Sequence, residues 1–311
     1  MKTLLKGLIL SVVFLNSVSF GKGLIEVKDL KSHLGKDDTI ILDIRSKISK
    51  ESIKDFKEGH IPGAVYSDYL EESWRIKIGD KPAMLPPDNV LTQLLQRLGI
   101  DESKTVIVVS GGQDSSDFGS AARVYWTLQA VGIPNVFVLN GGYRAWKSEN
   151  AKDAAGYPIE KGDARSVFPS EFEAKINPKL LITTPDVKKN LNNPKYLFVD
   201  SRPESFFVGL EKHESSKSAG TLAGAKNVQH VNFYDAKTGR FANKADVQNI
   251  LQKNGITSDK TIVPFCNTGH WAAVAWFGIS EVGGVPATLY PRLHGGMDKR
   301  PRQPCSARII F

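Results

Sequence analysis

The chain repeats itself. Ile41-Leu42-Asp43-Ile44-Arg45 returns 157 residues later as Phe198-Val199-Asp200-Ser201-Arg202. Gly59-His60-Ile61-Pro62-Gly63-Ala64 returns as Gly220-Thr221-Leu222-Ala223-Gly224-Ala225, and Leu98-Gly99-Ile100 as Asn254-Gly255-Ile256. Lys104-Thr105-Val106-Ile107-Val108-Val109-Ser110 returns as Lys260-Thr261-Ile262-Val263-Pro264-Phe265-Cys266. Matches in the same order at nearly constant spacing mean one structural unit used twice. The 311 residues therefore divide into a copy over 22–150, a linker over 151–170 and a copy over 171–311. Gly156, Pro158, Gly162 and Pro169 interrupt regular structure in the linker. Each copy is large enough to bury a core of its own.

Within the first copy, short apolar runs alternate with stretches of helical period. Residues 39–43, 106–109 and 136–139 are continuously apolar over strand length, as parallel strands covered on both faces require. Val90, Leu91, Leu94, Leu95 and Leu98 are spaced for one face of a helix, and Val124, Leu128 and Val131 do the same within 121–131. The expected class is α/β, two tandem domains, each a mainly parallel sheet flanked by helices.

Composition excludes several alternatives. With 41% hydrophobic and 24% charged residues, the chain is neither disordered nor fibrous. Most of the formal +8 lies in the first and last 21 residues, leaving a body of roughly +2, so a nucleic-acid partner is not expected. Residues 1–21 place Lys2 and Lys6 before the apolar stretch Gly7 to Leu15, followed by small Ser17, Ser19 and Gly21. That is the pattern of a cleaved secretory signal, giving an expected periplasmic location and a mature chain starting near Lys22. The apolar core is shorter than the ~20 residues of a membrane span, so no span is expected after signal removal. Only Cys266 and Cys305 are available, too few for a disulfide framework.

The chemistry is expected where the copies differ. Cys266 follows an apolar strand and precedes Asn267-Thr268-Gly269-His270-Trp271 and the helix-like run from Ala272 to Phe277. A strand-to-helix loop gathers unpaired N–H groups and the positive end of a helix, at the strand end where open α/β sheets bind ligands. A thiol placed there is held in its anionic, nucleophilic form. The first copy has Ser110 at the matching position.

These features resemble the tandem-domain rhodanese family of sulfurtransferases. The resemblance is carried by Asp43/Arg45 and Asp200/Arg202, the segment 59–64, Leu139-Asn140-Gly141-Gly142 with Trp146, and the Cys266 loop. It implies that the second copy alone is catalytic, with Cys266 taking a sulfane sulfur from a small anionic donor as a persulfide. The sulfur would pass to cyanide, a thiol or a protein acceptor, with no metal or organic cofactor. It further implies that Asn267, Thr268, Gly269, His270, Trp271 and Ala272 form the substrate loop, that Arg202 faces the cleft, and that Asp200 supports the loop. The first copy, expected to carry a longer loop over 111–121, would wall one side of the cleft.

The resemblance leaves the donor open. Phe206 stands where family members that use 3-mercaptopyruvate carry a second arginine, and Asn267-Thr268 lacks the basic residues of thiosulfate users. An exported location favours inorganic donors. A noncatalytic persulfide carrier is the alternative. A phosphatase-like hydrolase is disfavoured because its Cys-x5-Arg loop would need arginine where Ala272 stands. The stretch 291–311 departs from the repeat: Pro291-Arg292-Leu293-His294 replaces the expected glycines and tryptophan. A one-nucleotide change of frame restores that pattern, so a frameshifted tail is expected.

Overall fold

The computed structural model describes residues 22–79, 81–152, 156–214, 216 and 218–291. Residues 1–21, the expected secretory signal, and residues 292–311 with Cys305 lie outside the described residues. The first copy runs β1 (Leu24–Ile25), α1 (Val27–Lys31), β2 (Thr39–Asp43), α2 (Ile53–Glu58), β3 (Val65–Tyr66), β4 (Ile76–Ile78), β5 (Lys81–Met84), α3 (Asp88–Arg97), β6 (Thr105–Val109), α4 (Ser115–Ala130), β7 (Asn135–Leu139) and α5 (Gly142–Lys152). The second runs α6 (Thr184–Asn190), β8 (Tyr196–Asp200), α7 (Glu204–Phe207), β9 (Lys226–Asn227), β10 (Tyr234–Asp235), β11 (Arg240–Phe241), α8 (Lys244–Lys253), β12 (Thr261–Phe265) and α9 (His270–Phe277).

The apolar runs form the expected parallel sheets. The first has the order β1-β7-β6-β2-β3 with every pairing parallel. The second is β12-β8-β9, also parallel, and is extended by parallel bridges from Ala287 and Tyr290 to β12 and from Leu181 to Leu289. The two sheets thus have the same order, with Leu181 and residues 287–290 standing where β1 and β7 stand in the first copy. A separate antiparallel hairpin, β4 with β5, lies in the first copy.

The cores explain why α4 is buried on nearly every side. One cluster covers the outer face of the first sheet around Ile41, Ile107 and Trp146, and another that of the second around Phe198, Val263 and Tyr290. The largest spans both copies, joining Leu42, Val108 and Trp126 to Val199, Ile262 and Trp276. Its centre is the contact between α4 and α9. A helix packed against its own sheet and a second domain keeps no solvated face, and 14 residues of α4 are buried. Gly119 is needed in that contact, because a Cβ there would stand 2.8 Å from His270 Nε2.

The repeated Asp-x-Arg has the same task in both copies. Arg45 pairs with Asp43 at 2.9 Å and donates to Gly59 O at 2.9 Å. Arg202 pairs with Asp200 at 2.6 Å and donates to Gly220 O at 2.7 Å. Gly59 and Gly220 are themselves repeat equivalents, so each arginine ties a strand end to the matching Gly-x-x-x-Gly-Ala segment. Breaking a buried pair of this kind leaves an uncompensated charge and destabilises strongly.

One expectation needs correction. The first-copy loop is not several residues longer than the second: α4 begins at Ser115, because Asp114 caps it by accepting from Ser116 N and Asp117 N. The residues from Ser115 onward belong to the helix, which leaves loops of 111–114 and 267–269. The linker packs on the first copy, where His60 bridges Glu160 and Trp146 Nε1 donates to Pro158 O. Among the described residues no helix is long and apolar enough to cross a membrane.

Candidate active site

Cys266 is a free thiol directly after β12, at the carboxyl edge of the second sheet. It is 1% exposed and lines a cavity of about 390 Å3 together with Asn267, Thr268, His270 and Trp271. The first copy supplies the opposite wall, including Arg75, Ala83 and Ser116. The loop is closed by Gly269, which caps α9 at φ 75°, a conformation that favours glycine. A Cβ at Gly269 would stand 2.6 Å from Arg123 Nη1 and would also strike Pro291 O.

The loop is organised around the sulfur. Ala272 donates its N–H to Cys266 Sγ at 3.4 Å. Among the described residues, the N–H groups of Asn267, Thr268, Gly269, His270 and Trp271 have no hydrogen-bonding partner in the protein. Buried amides at a helix start that lack a protein acceptor form a ready anion site.

The first copy shows the same cradle filled. Asp117 accepts from Gly111 N at 3.3 Å, Gln113 N at 3.0 Å and Gly112 N. Burial pushes the Asp117 carboxyl above its ordinary value, and these amides oppose the shift. Counted from the helix caps Asp114 and Gly269, Asp117 corresponds to Ala272. One copy therefore carries a carboxylate inside its cradle, and the other carries a thiol beside an open one.

The remaining sequence candidates divide into lining and support. Asn267 accepts from Arg202 Nη1 at 3.4 Å and donates to Ser216 Oγ at 2.7 Å, which fixes its orientation. Arg202 stands behind Asn267 in its pair with Asp200, and is not part of the cavity lining. Asp200 also accepts from Thr221 at 2.7 Å. Ala272 lies under the loop rather than in the lining.

His270 and Trp271 join the two copies. His270 Nε2 lies 2.7 Å from Ser116 O and Nδ1 lies 3.0 Å from Tyr69 Oη. The carbonyl can only accept, so Nε2 carries the proton and Nδ1 accepts from the tyrosine. Trp271 donates to Ser116 Oγ at 2.8 Å and stacks on His230 with centroids 4.7 Å apart. His230 in turn meets Ser115 Oγ at 3.0 Å.

Burial lowers His270 to about 3, helped by Arg75 and opposed by its bond to Ser116. Burial lowers His230 to about 4, opposed by Asp114. Both rings are therefore neutral at pH 7. The unfolded chain takes up these protons near 6.5 and the folded chain far lower, so the stability from neutral burial is present above 6.5. It is lost as pH falls from 6.5 toward 4 and 3. Thermal melts between pH 7.5 and 4.5 are expected to show Tm falling with acid, and the fall should be shallower in His230→Gln.

Arg123 of α4 is the charge that sequence reading missed. It is buried, lies over Trp126 at 4.9 Å, and its Nη1 and Nη2 have no hydrogen-bonding partner among the described residues. Desolvation lowers its affinity for a proton. A buried cation without a counter-ion is costly, and an anion on Cys266 at the adjoining loop offsets that cost.

Fold and loop together define a tandem α/β protein with one thiol-bearing anion cradle, walled by a copy whose own cradle is filled. The Rhodanese-like domain family matches it twice, over residues 26–149 and 183–299, and the chain belongs to that family. It is 28% identical over 247 residues to a human 3-mercaptopyruvate sulfurtransferase, covering 78% of each chain. It is 29% identical over 222 residues to a thiosulfate sulfurtransferase of Gallus gallus, covering 71% of this chain and 72% of that one. The fold is similar to the crystal structure of SseA from Escherichia coli, described as a 3-mercaptopyruvate sulfotransferase. That match has TM-score 0.73 at 24% identity and covers 87% of this chain and 98% of the other.

Proposed function

We propose that this sulfurtransferase works through a persulfide on Cys266. The thiolate attacks the outer sulfur of a donor such as thiosulfate. A Cys266 S–S bond forms, the donor S–S bond breaks, and its electron pair leaves on sulfite. An acceptor thiolate or cyanide then takes the outer sulfur and returns Cys266 as thiolate. The persulfide anion lies where the unpartnered amides of Asn267 to Trp271 and the end of α9 favour negative charge. The observation that carries this reading is the contrast between the loops, one cradle filled by Asp117 and the other open beside a free thiol.

Intact mass measured after incubation with thiosulfate, 3-mercaptopyruvate or polysulfide is expected to rise by one sulfur atom. Added dithiol should return the original mass with repeated turnover. Loading without turnover would make the chain a carrier, and no loading from any donor would remove the persulfide reading. The proposed periplasmic location rests on the leader pattern of residues 1–21, and amino-terminal sequencing of exported protein should give a start near Lys22.

A further inference from the structure

The Cys266 loop contains no lysine or arginine, and the position that would otherwise supply a second arginine is Phe206, edge-on to Trp271 at 6.4 Å. The cavity nevertheless contains a guanidinium. Arg75 lines it from the first copy, just before β4. Its guanidinium carbon lies 5.0 Å from the Tyr69 ring centroid, and Tyr69 is anchored by the bond to His270. Among the described residues no carboxylate forms an ion pair with Arg75, whereas Arg45, Arg97, Arg202 and Arg240 are all paired. Glu214 lines the same cavity, and among the described residues it forms no ion pair with Arg75.

We infer that Arg75 recognises the anionic end of the sulfur donor while the outer sulfur lies against Cys266. This rests on the persulfide reading above and adds to it the origin of donor specificity. A guanidinium held by an aromatic face, and not neutralised by a carboxylate, presents N–H groups that match a sulfonate or carboxylate. When the bond to the transferred sulfur breaks, S–S in thiosulfate or C–S in 3-mercaptopyruvate, its electron pair builds negative charge on the leaving sulfite or pyruvate enolate, and a positioned cation stabilises it. The catalytically silent copy would thus supply the charge that the catalytic loop lacks. The shared chemistry is an oxyanion next to a transferable sulfur, which fits both thiosulfate and 3-mercaptopyruvate.

The test compares charged and uncharged donors in Arg75→Gln, Arg75→Lys and the unmodified protein. Loading of Cys266 is followed by intact mass: as a one-sulfur gain with thiosulfate and 3-mercaptopyruvate, and as the gain of a mixed trisulfide with an uncharged dialkyl trisulfide, whose central sulfur bonds to Cys266 as one S–S bond breaks and an alkyl thiolate leaves. For whichever anionic donor the unmodified protein uses, Arg75→Gln should lower loading efficiency by about 10- to 100-fold. Arg75→Lys should recover part of the loss, and trisulfide loading should stay unchanged. Equal anionic-donor rates in Arg75→Gln and the unmodified protein would overturn the inference and leave the persulfide reading intact. Equal losses with charged and uncharged donors would also overturn it, making Arg75 a structural residue. Failure of the unmodified protein to load from any donor would instead remove the underlying reading, and this inference with it.

Discussion

Cys266→Ser is expected to take up no sulfur from any donor and to lose turnover by at least ~1000-fold, the scale on which removal of a covalent nucleophile acts. A hydroxyl is not appreciably ionised at neutral pH, and an oxygen–sulfur adduct is a poor store for a sulfane sulfur. The molecule already contains the comparison, because Ser110 occupies the matching place after β6. The change should leave the fold intact. The side chain is 1% exposed, among the described residues its one hydrogen bond is from the N–H of Ala272, and a hydroxyl can accept that bond. Melting temperature should therefore move little while the mass gain disappears. A serine variant that still gains one sulfur atom would place the sulfur on another residue and end the assignment of Cys266.

Much of this was legible in the sequence because strands and repeats are local. The run Thr105 to Val109 and its echo Thr261 to Phe265 state their burial in their composition, and both form central parallel strands. Cys266 was legible because a strand end, a short loop and an apolar helix are contiguous. Arg75 and Arg123 were not, since each reaches the site across a boundary between copies that no local pattern records. Arg202 looked like a cleft residue. Its twin Arg45, doing the same work beside a serine, shows why the Asp-x-Arg is first a strand-end anchor. The loop over 111–121 looks long in the sequence because the apolar stretch of α4 begins several residues after the helix itself. Asp114-Ser115-Ser116-Asp117, with an acceptor at the cap, marks the start four residues after Ser110. The same tetrapeptide contains the carboxylate that fills the cradle, the one signal from which the closed state of the first copy was readable.

Ala272→Asp is expected to convert the second cradle to the state of the first. Ala272 is fully buried, three residues past the cap of α9, as Asp117 is three past the cap of α4. A carboxylate projecting from this position reaches the loop amides, as Asp117 reaches Gly111, Gly112 and Gln113. Two effects then act together. The N–H groups that would hold an anionic sulfur are occupied, and a negative charge faces both the Cys266 thiolate and the incoming donor. Losing one preorganised oxyanion donor commonly costs ~100- to 1000-fold in rate, and here several are lost at once. Persulfide loading should fall by at least that factor. Stability at neutral pH should hold or rise, because an acidic group near a helix start that accepts free amides is worth about 0.5–2 kcal/mol. Loading kinetics and a melting curve on the same sample separate a plugged site from an unfolded one. Ala272→Asn, which can occupy the amides without the charge, should fall between the two. If Ala272→Asp melts normally and loads at the original rate, the sulfur is not held by this ring of amides, and the contrast between the copies does not explain which of them reacts.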